Sequence, residues 1–243
     1  IQYFGANGTL VGNYIGTDAT GSTLVPNQRS GIELSGGTFN NIIGGLDSTR
    51  RNVISGNTMY GIHATDASFN NLVFGNHIGT DESGLINLAN GGAGIRVEGG
   101  ASVTVGGLGA GQSNLIAFNG SGVQVVGAGS RATIRGNSIY SNIGLGIDLD
   151  ADSVTPNDGL DPDAGPNQLQ NYPVFASPTA GGQTLVAGQL NSTPNSTFDI
   201  DFYASLTAHA TGFGEGKRYL GSIVVNTNAG GLASFSQLVP GVT

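Results

Sequence analysis

The chain has 243 residues, of which 43 are Gly and 23 are Asn, while only 10% are charged and none is Cys. That length suits one or two all-β domains, and the lack of Cys excludes a disulfide scaffold and a thiolate metal or nucleophile site. The net charge of −8 offers no basic surface to nucleic acid or anionic membranes. We expect neither a signal peptide nor a membrane anchor in this sequence, because it has no Met at its start and no apolar run of the ~20 residues that a membrane helix needs. A start without Met leads us to expect a processed piece of a longer protein.

A short motif recurs through the first 150 residues: Gly, then Ile or Val, then any residue, then an aliphatic residue or Ala. It begins at Gly31, Gly61, Gly94, Gly122 and Gly146, with spacings of 30, 33, 28 and 24 residues. Two further β-rich pieces recur between these copies, as in "NNIIGG" from Asn40 and "NVISGN" from Asn52. Three short strands per repeat, with Gly and Asn at the corners and no two-residue hairpin turns, predict a solenoid of stacked parallel coils.

The motif also predicts the core of this solenoid. The second residues of the five copies are expected to stack on one another inside the coils; they are Ile32, Ile62, Ile95, Val123 and Ile147. Asparagines at the corners are expected to hydrogen-bond the backbone of their own or a neighbouring coil, as for Asn57, Asn76, Asn119 and Asn137.

Several longer pieces carry a resemblance to a known family. They are "GN-x-IGTD" from Gly12 and Gly75, the repeated "N-x-I-x-x-N", and "GPNQLQNYPVF" from Gly165. Over about residues 1 to 165 the chain resembles right-handed parallel β-helix proteins of the pectate-lyase-like superfamily, as found in large secreted bacterial surface proteins. The resemblance implies that fold and an extracellular or cell-surface location. It does not specify an activity, because such coils carry enzymes, adhesins and spacers.

Two insertions, which follow "IGTD" at Asp18 and at Asp81, are predicted to project as loops from one side of the β-helix. Either these aspartates form a ligand-binding rim, or they close local turns by hydrogen bonding to the nearby backbone. We favour the turn.

The third residue of each motif points outward, because side chains alternate along a strand. This outward column contains Glu33, His63, Arg96, Gln124 and Asp148. The candidate catalytic residues are Glu33, His63 and Arg96: Arg96 would neutralise a uronate carboxylate, and His63 or Glu33 would act as the base of a lyase. Hydrolysis by two carboxylates is not supported, because Glu33 and Asp148 are four coils, or about 19 Å, apart. A solvated polar face is the simpler interpretation.

An acidic segment interrupts the repeat after "GIDL" from Gly146, and three prolines in it cannot donate ladder hydrogen bonds. We expect the β-helix to end here. The candidate metal ligands are Asp148, Asp150, Asp152, Asn157, Asp158, Asp161 and Asp163. Oxygen ligands at this spacing suit Ca²⁺. A calcium site and a solvated acidic linker both stay open, and a catalytic cluster is least favoured.

Alternating apolar and polar residues after Pro173 predict antiparallel strands of a small, incomplete β-sandwich module. In "FDIDFYAS", Phe198, Ile200 and Phe202 share one face. The predicted organisation is a parallel β-helix over 1–155, an acidic Pro- and Gly-rich linker over 156–173 and the sandwich-like module over 174–243.

The leading functional hypothesis is a secreted or cell-surface scaffold, adhesin or assembly module without enzymatic activity. Its partners would be other modules of the same larger chain or assembly. The alternative is a polysaccharide lyase-like enzyme or polysaccharide-binding domain that uses the outward column.

Overall fold

Short parallel strands dominate the first 149 residues in the computed structural model, which describes residues 1–3, 5–176 and 183–241. Residue 4 of the predicted β-helix, and residues 177–182, 242 and 243 of the predicted C-terminal module, lie outside the described residues. Three strands per coil stack on their equivalents in neighbouring coils and so build three parallel sheets. The predicted fold class is confirmed: an all-β chain in which a parallel β-helix precedes a small antiparallel module.

The three parallel sheets take one strand from each coil. The first sheet contains β1 (Gln2–Tyr3), β4 (Ile32–Leu34), β7 (Ile62–Ala64), β10 (Ala93–Val97), β13 (Ser121–Val125) and β16 (Ile147–Leu149). The second contains β2 (Thr9–Leu10), β5 (Ile42–Gly44), β8 (Asn71–Phe74), β11 (Ser102–Gly106) and β14 (Arg131–Arg135). The third contains β3 (Tyr14–Ile15), β6 (Val53–Ile54), β9 (His77–Ile78), β12 (Leu115–Ala117) and β15 (Ser138–Tyr140). Short 3-10 turns cover Ser48–Arg50 and Pro166–Leu169.

The aliphatic stack predicted inside the first sheet is present. Ile32 pairs with Ile62, Ile62 with Ile95, Ile95 with Val123 and Val123 with Ile147. The first four of these side chains are fully buried, and each contributes about 1.5–3 kcal/mol by leaving water. Ile147 is 46% exposed, because no further coil covers it among the described residues.

Buried asparagines hold the corners of successive coils together. In one ladder the Nδ2 atoms of Asn52, Asn76 and Asn114 each donate to the Oδ1 atom of the next asparagine, at 2.9–3.0 Å, and Asn137 accepts the last of these bonds. A second ladder runs through Asn27, Asn57, Asn90, Asn119 and Asn142. Each of these bonds links two successive coils, so the predicted role of the corner asparagines is confirmed.

Glycines occupy the bends where two coils come closest. At Gly44, φ is +91°, and a Cβ atom would lie 2.0 Å from the carbonyl oxygen of Phe74 in the next coil. Any side chain here would force the coils apart, which explains why Gly recurs at this corner.

The C-terminal module consists of two small antiparallel sheets. One contains β17 (Val174–Phe175), β18 (Gln183–Asn191) and β21 (Leu232–Pro240), and the other contains β19 (Thr197–Ala204) and β20 (Arg218–Asn226). Their shared core includes Ile200 and Phe202, and Phe198 packs against it, as predicted from the alternation. The predicted domain boundaries at 155/156 and 173/174 stay predictions.

The module contacts the last coil of the β-helix through polar groups. The Oε1 atom of Glu215 accepts from the Nδ2 atom of Asn142 at 2.9 Å and so occupies the next position of the second asparagine ladder. The Arg135 guanidinium pairs with Asp201 at 2.6 Å and with Asp199 at 3.2 Å. These contacts place the module where a further coil would stack.

Candidate functional site

The predicted outward column lies in register along the first sheet. Glu33 pairs with His63, His63 with Arg96, Arg96 with Gln124, and Gln124 with Asp148. The three predicted catalytic residues are therefore direct neighbours. Their adjacency follows from the coil repeat, because equal positions of successive motifs stack on one another.

A fourth residue, Glu98, joins the middle of this column. Its Oε1 atom is 2.7 Å from the Nε2 atom of His63, and its Oε2 atom accepts from the Nε atom of Arg96 at 2.8 Å. The Nη1 atom of Arg96 donates in turn to the Oε1 atom of Gln124 at 2.9 Å. Glu98 was missed from the sequence because it follows the four-residue motif, although its position two residues after Arg96 gives it the same outward direction.

Glu98 is ionised within this network. Its burial opposes ionisation, but the hydrogen bonds from Arg96 and His63 outweigh that effect and hold the pKa of Glu98 below its ordinary value. The ionised carboxylate neutralises Arg96. The positive charge that a lyase would direct at a uronate is thus partly satisfied within the protein.

Tyr60 covers one side of the same residues. Its ring centroid lies 5.3 Å from that of His63 and 5.2 Å from the Cζ atom of Arg96. The guanidinium therefore has a cation–π contact as well as its two hydrogen bonds. Together, Tyr60, His63, Arg96, Glu98 and Gln124 form what we term the polar cluster.

The two ends of the column differ from its middle. At one end, the carboxylate of Glu33 is 4.0 Å from Arg29. At the other end, Asp148 is only 6% exposed and its Oδ1 atom has no hydrogen-bond partner among the described residues. Burial raises the pKa of Asp148, and the charge of Asp152 raises it further, against a hydrogen bond from Gln124.

The acidic segment does not converge on one point. Carboxylate oxygens of Asp158, Asp161 and Asp163 lie within 4.8 Å of one another. The other predicted ligands have different partners: Asp150 accepts from the backbone of Gly127, and Asn157 exchanges two hydrogen bonds with the backbone of Tyr172. Asp148 belongs to the outward column, and Asp152 influences it. Three of the seven predicted ligands are thus brought together.

We term Asp158, Asp161 and Asp163 the acidic group. Within the described residues, some of its carboxylate oxygens accept hydrogen bonds and one buried oxygen accepts none. Asp161 accepts from the backbone N–H of Asn171 at 3.2 Å and from the hydroxyl of Ser192 in the C-terminal module. The Oδ1 atom of Asp163 is buried without a hydrogen-bond partner in the described part of the chain. Burial raises the pKa of Asp163, and the neighbouring charges of Asp158 and Asp161 add to that effect. A cation placed between the three would relieve their repulsion.

The two inserted loops begin with local turns. Asp18 accepts from the backbone N–H groups of Thr20, Ser22 and Thr23, and Asp81 accepts from those of Leu85 and Ile86. The carboxylates are thus used to close their own loops. These hydrogen bonds support the turn interpretation over a ligand-binding rim.

No family model matches the sequence, and no curated protein matches it either. Among the described residues, no helix has the length and apolar character needed to cross a membrane.

Proposed function

We propose that this chain is a structural module of a secreted or cell-surface protein, in which the β-helix acts as a scaffold or adhesive stalk for neighbouring modules. One observation carries the proposal. His63 and Arg96, the groups most suited to chemistry on the outward face, are both bonded to Glu98. In a lyase these groups must be directed at the substrate. In a scaffold they can instead be held by hydrogen bonds and ion pairs to other side chains of the protein, as they are here by Glu98.

The same proposal includes the family and the location. The coil motif and the asparagine ladders favour assignment of the chain to the β-helix repeat proteins of the pectate-lyase-like superfamily. By that resemblance the module would be extracellular or at the cell surface, and its partners would be other modules of the same chain or assembly.

Stability measurements on the polar cluster test the scaffold role. Replacing Glu98 with Gln removes the charge that holds His63 and Arg96, so it should lower the free energy of unfolding at pH 7 by about 1–2 kcal/mol. The same substitution at the exposed Glu82 should change it by less than about 0.5 kcal/mol. An unchanged or more stable Glu98→Gln variant would contradict the proposal, because functional residues commonly reduce stability.

The second candidate is a polysaccharide-binding or lyase-like function of the same face. The ring of Tyr60 favours it, because an aromatic ring beside Arg96 and His63 resembles the platform on which a sugar stacks. In this alternative a uronate displaces Glu98 from Arg96. Recognition of acidic polysaccharides should then depend on Arg96.

We also propose that Asp158, Asp161 and Asp163 bind Ca²⁺ at the junction of the β-helix and the C-terminal module. The proposal is supported by their mutual distances within 4.8 Å and by the Oδ1 atom of Asp163, which is buried and has no hydrogen-bond partner in the part of the chain that the structure describes. Ca²⁺ prefers oxygen ligands in flexible geometry, and backbone carbonyls or water would complete its shell. The bond from Asp161 to Ser192 means that the ion would stiffen the attachment of the module.

A further inference from the structure

A cavity of about 670 Å³ lies between the last coil and the C-terminal module. Its β-helix wall carries the inward side chains of that coil, including Ile139, Ile147 and Leu149, and its opposite wall includes Phe175, Tyr203 and Phe213. The volume falls within the range of about 300–1,000 Å³ typical of ligand sites. Neither the polar cluster nor the acidic group uses this cavity.

The linker contacts the last strand of the second sheet at this end of the β-helix, and the C-terminal module contacts the last strand of the third sheet. Asn167 bonds the backbone of Ala132 in β14, at 2.7 Å and 2.9 Å. The carbonyl of Gly216 accepts from the N–H of Ile139 in β15 at 2.9 Å. The first sheet differs, because no strand pairs with the outer edge of β16 within the described ranges. That edge borders the cavity.

The hydrogen-bond pattern of earlier coils shows which way this edge points. The N–H of Val123 donates to Gly146 in the following coil, and the C=O of Val125 accepts from Asp150 in that coil. Ile147 and Leu149 are the equivalents of Val123 and Val125 in β16. Their N–H and C=O groups are therefore directed to where the next strand would lie. A hydrocarbon ligand would leave these groups unsatisfied, whereas an extended peptide would pair with them.

The side chains of β16 specify the pattern of such a peptide. Ile147 is 46% exposed, while its equivalents in the four preceding coils are fully buried, so aliphatic residues should lie opposite Ile147 and Leu149. Between them stands the buried Asp148, whose Oδ1 atom lacks a partner in the described residues. A basic residue suits the position opposite it, just as Arg96 lies opposite Gln124 in the same column.

We propose that the cavity binds an extended peptide with an aliphatic–basic–aliphatic pattern, which adds to β16 as a seventh parallel strand of the first sheet. This interaction surface goes beyond the scaffold role, and it does not depend on whether the polar cluster binds a polysaccharide.

The probe for this proposal is a fluorescein-labelled peptide that copies residues 93–99, AGIRVEG, because this segment already pairs in this sheet with Arg at the outward position. Fluorescence anisotropy should show saturable binding to the full chain. A peptide with an N-methyl group on its Glu should bind about tenfold more weakly or worse. In the native coil this N–H donates to the C=O of Ala64, so its copy would donate to the C=O of Leu149.

Two matched protein variants locate the site. Ile147→Glu should weaken binding of the peptide about tenfold or more, whereas Ile143→Glu, at an 82% exposed position that does not line the cavity, should leave it unchanged. Melting curves check that each variant is folded, and the N-methyl comparison on the unaltered chain does not depend on them. The proposal is overturned if the peptide does not bind or if N-methylation has no effect on its binding. If the peptide does not bind but an apolar dye binds in an Ile147-dependent manner, the cavity is a site for apolar ligands instead.

Discussion

Asn114 shows how single polar residues stabilise the coil stack. It is fully buried, and its Nδ2 atom donates to Val73 O at 2.7 Å and to Asn137 Oδ1 at 2.9 Å. Its Oδ1 atom accepts from both the backbone N and the Nδ2 atom of Asn76. Every hydrogen-bonding group of the side chain is therefore used, across three coils.

Asn114→Ala should lower the free energy of unfolding by about 3 kcal/mol, because it leaves buried donors and an acceptor unsatisfied. For a chain of this size that is a decrease in melting temperature of about 6–12 °C. Asn27→Ala, at the exposed start of the second ladder, is the control and should cost less than about 1 kcal/mol. Equal losses in the two variants would show that position within the ladder does not matter.

Substitution of Asp148 should have the opposite effect to substitution of Asn114, because it should stabilise the fold at neutral pH. Because burial raises its pKa in the folded state, folding favours the protonated form, and the stability that this carboxyl contributes is lost as pH rises from about 3.9 through the folded pKa. Asp148→Asn should therefore raise the melting temperature at pH 7 by about 2–4 °C, with a smaller gain near pH 3. Thermal unfolding at both pH values measures this difference. A gain that is equal at the two values would refute the assigned cause.

The segment between β16 and β17 carries the proposed calcium site. Addition of Ca²⁺ at a hundredfold excess over its Kd should raise the melting temperature by about 5 °C or more, and a chelator should reverse the shift. Asp163→Asn should abolish the response, since it removes a charge from the acidic group. Asp152→Asn should retain it, because Asp152 lies outside that group. No shift in the unaltered chain, or an equal shift in both variants, would rule out this site.

The regular elements could be predicted from the sequence, because each depends on a local pattern that repeats. The alternation in "GIEL", "GIHA" and "GIRV" is sufficient to place Ile32 inside the β-helix and Glu33 outside it, and equal positions then stack. Glu98 lies just beyond the repeated motif, so the pattern did not single it out.

The contacts at the end of the β-helix could not be predicted in this way. Arg135 and Asp201 are 66 residues apart, and Asn142 and Glu215 are 73 apart, with no repeat to relate them. The seven acidic-segment residues were close in sequence, but left-handed backbone at Asp150, Ala151 and Ser153 turns the chain and separates the first of them from Asp158, Asp161 and Asp163. Proximity in sequence was therefore a poor guide where no regular strand fixes side-chain direction.

One chain of polar contacts runs the length of the β-helix and into the C-terminal module. The second asparagine ladder begins at Asn27 and ends on Glu215, which belongs to the module. Arg135 adds ion pairs to Asp199 and Asp201 across the same junction. The polar cluster is likewise bonded within itself. This arrangement favours a molecule built to hold neighbouring parts in place.

Exposure of the chain to a panel of acidic polysaccharides, with detection of unsaturated uronate products, tests the scaffold proposal most directly. The proposal predicts no product above the level without protein, for the unaltered chain and for Arg96→Ala alike. Product formation by the unaltered chain that disappears in a folded Arg96→Ala variant would contradict it, and would assign the polar cluster to a lyase.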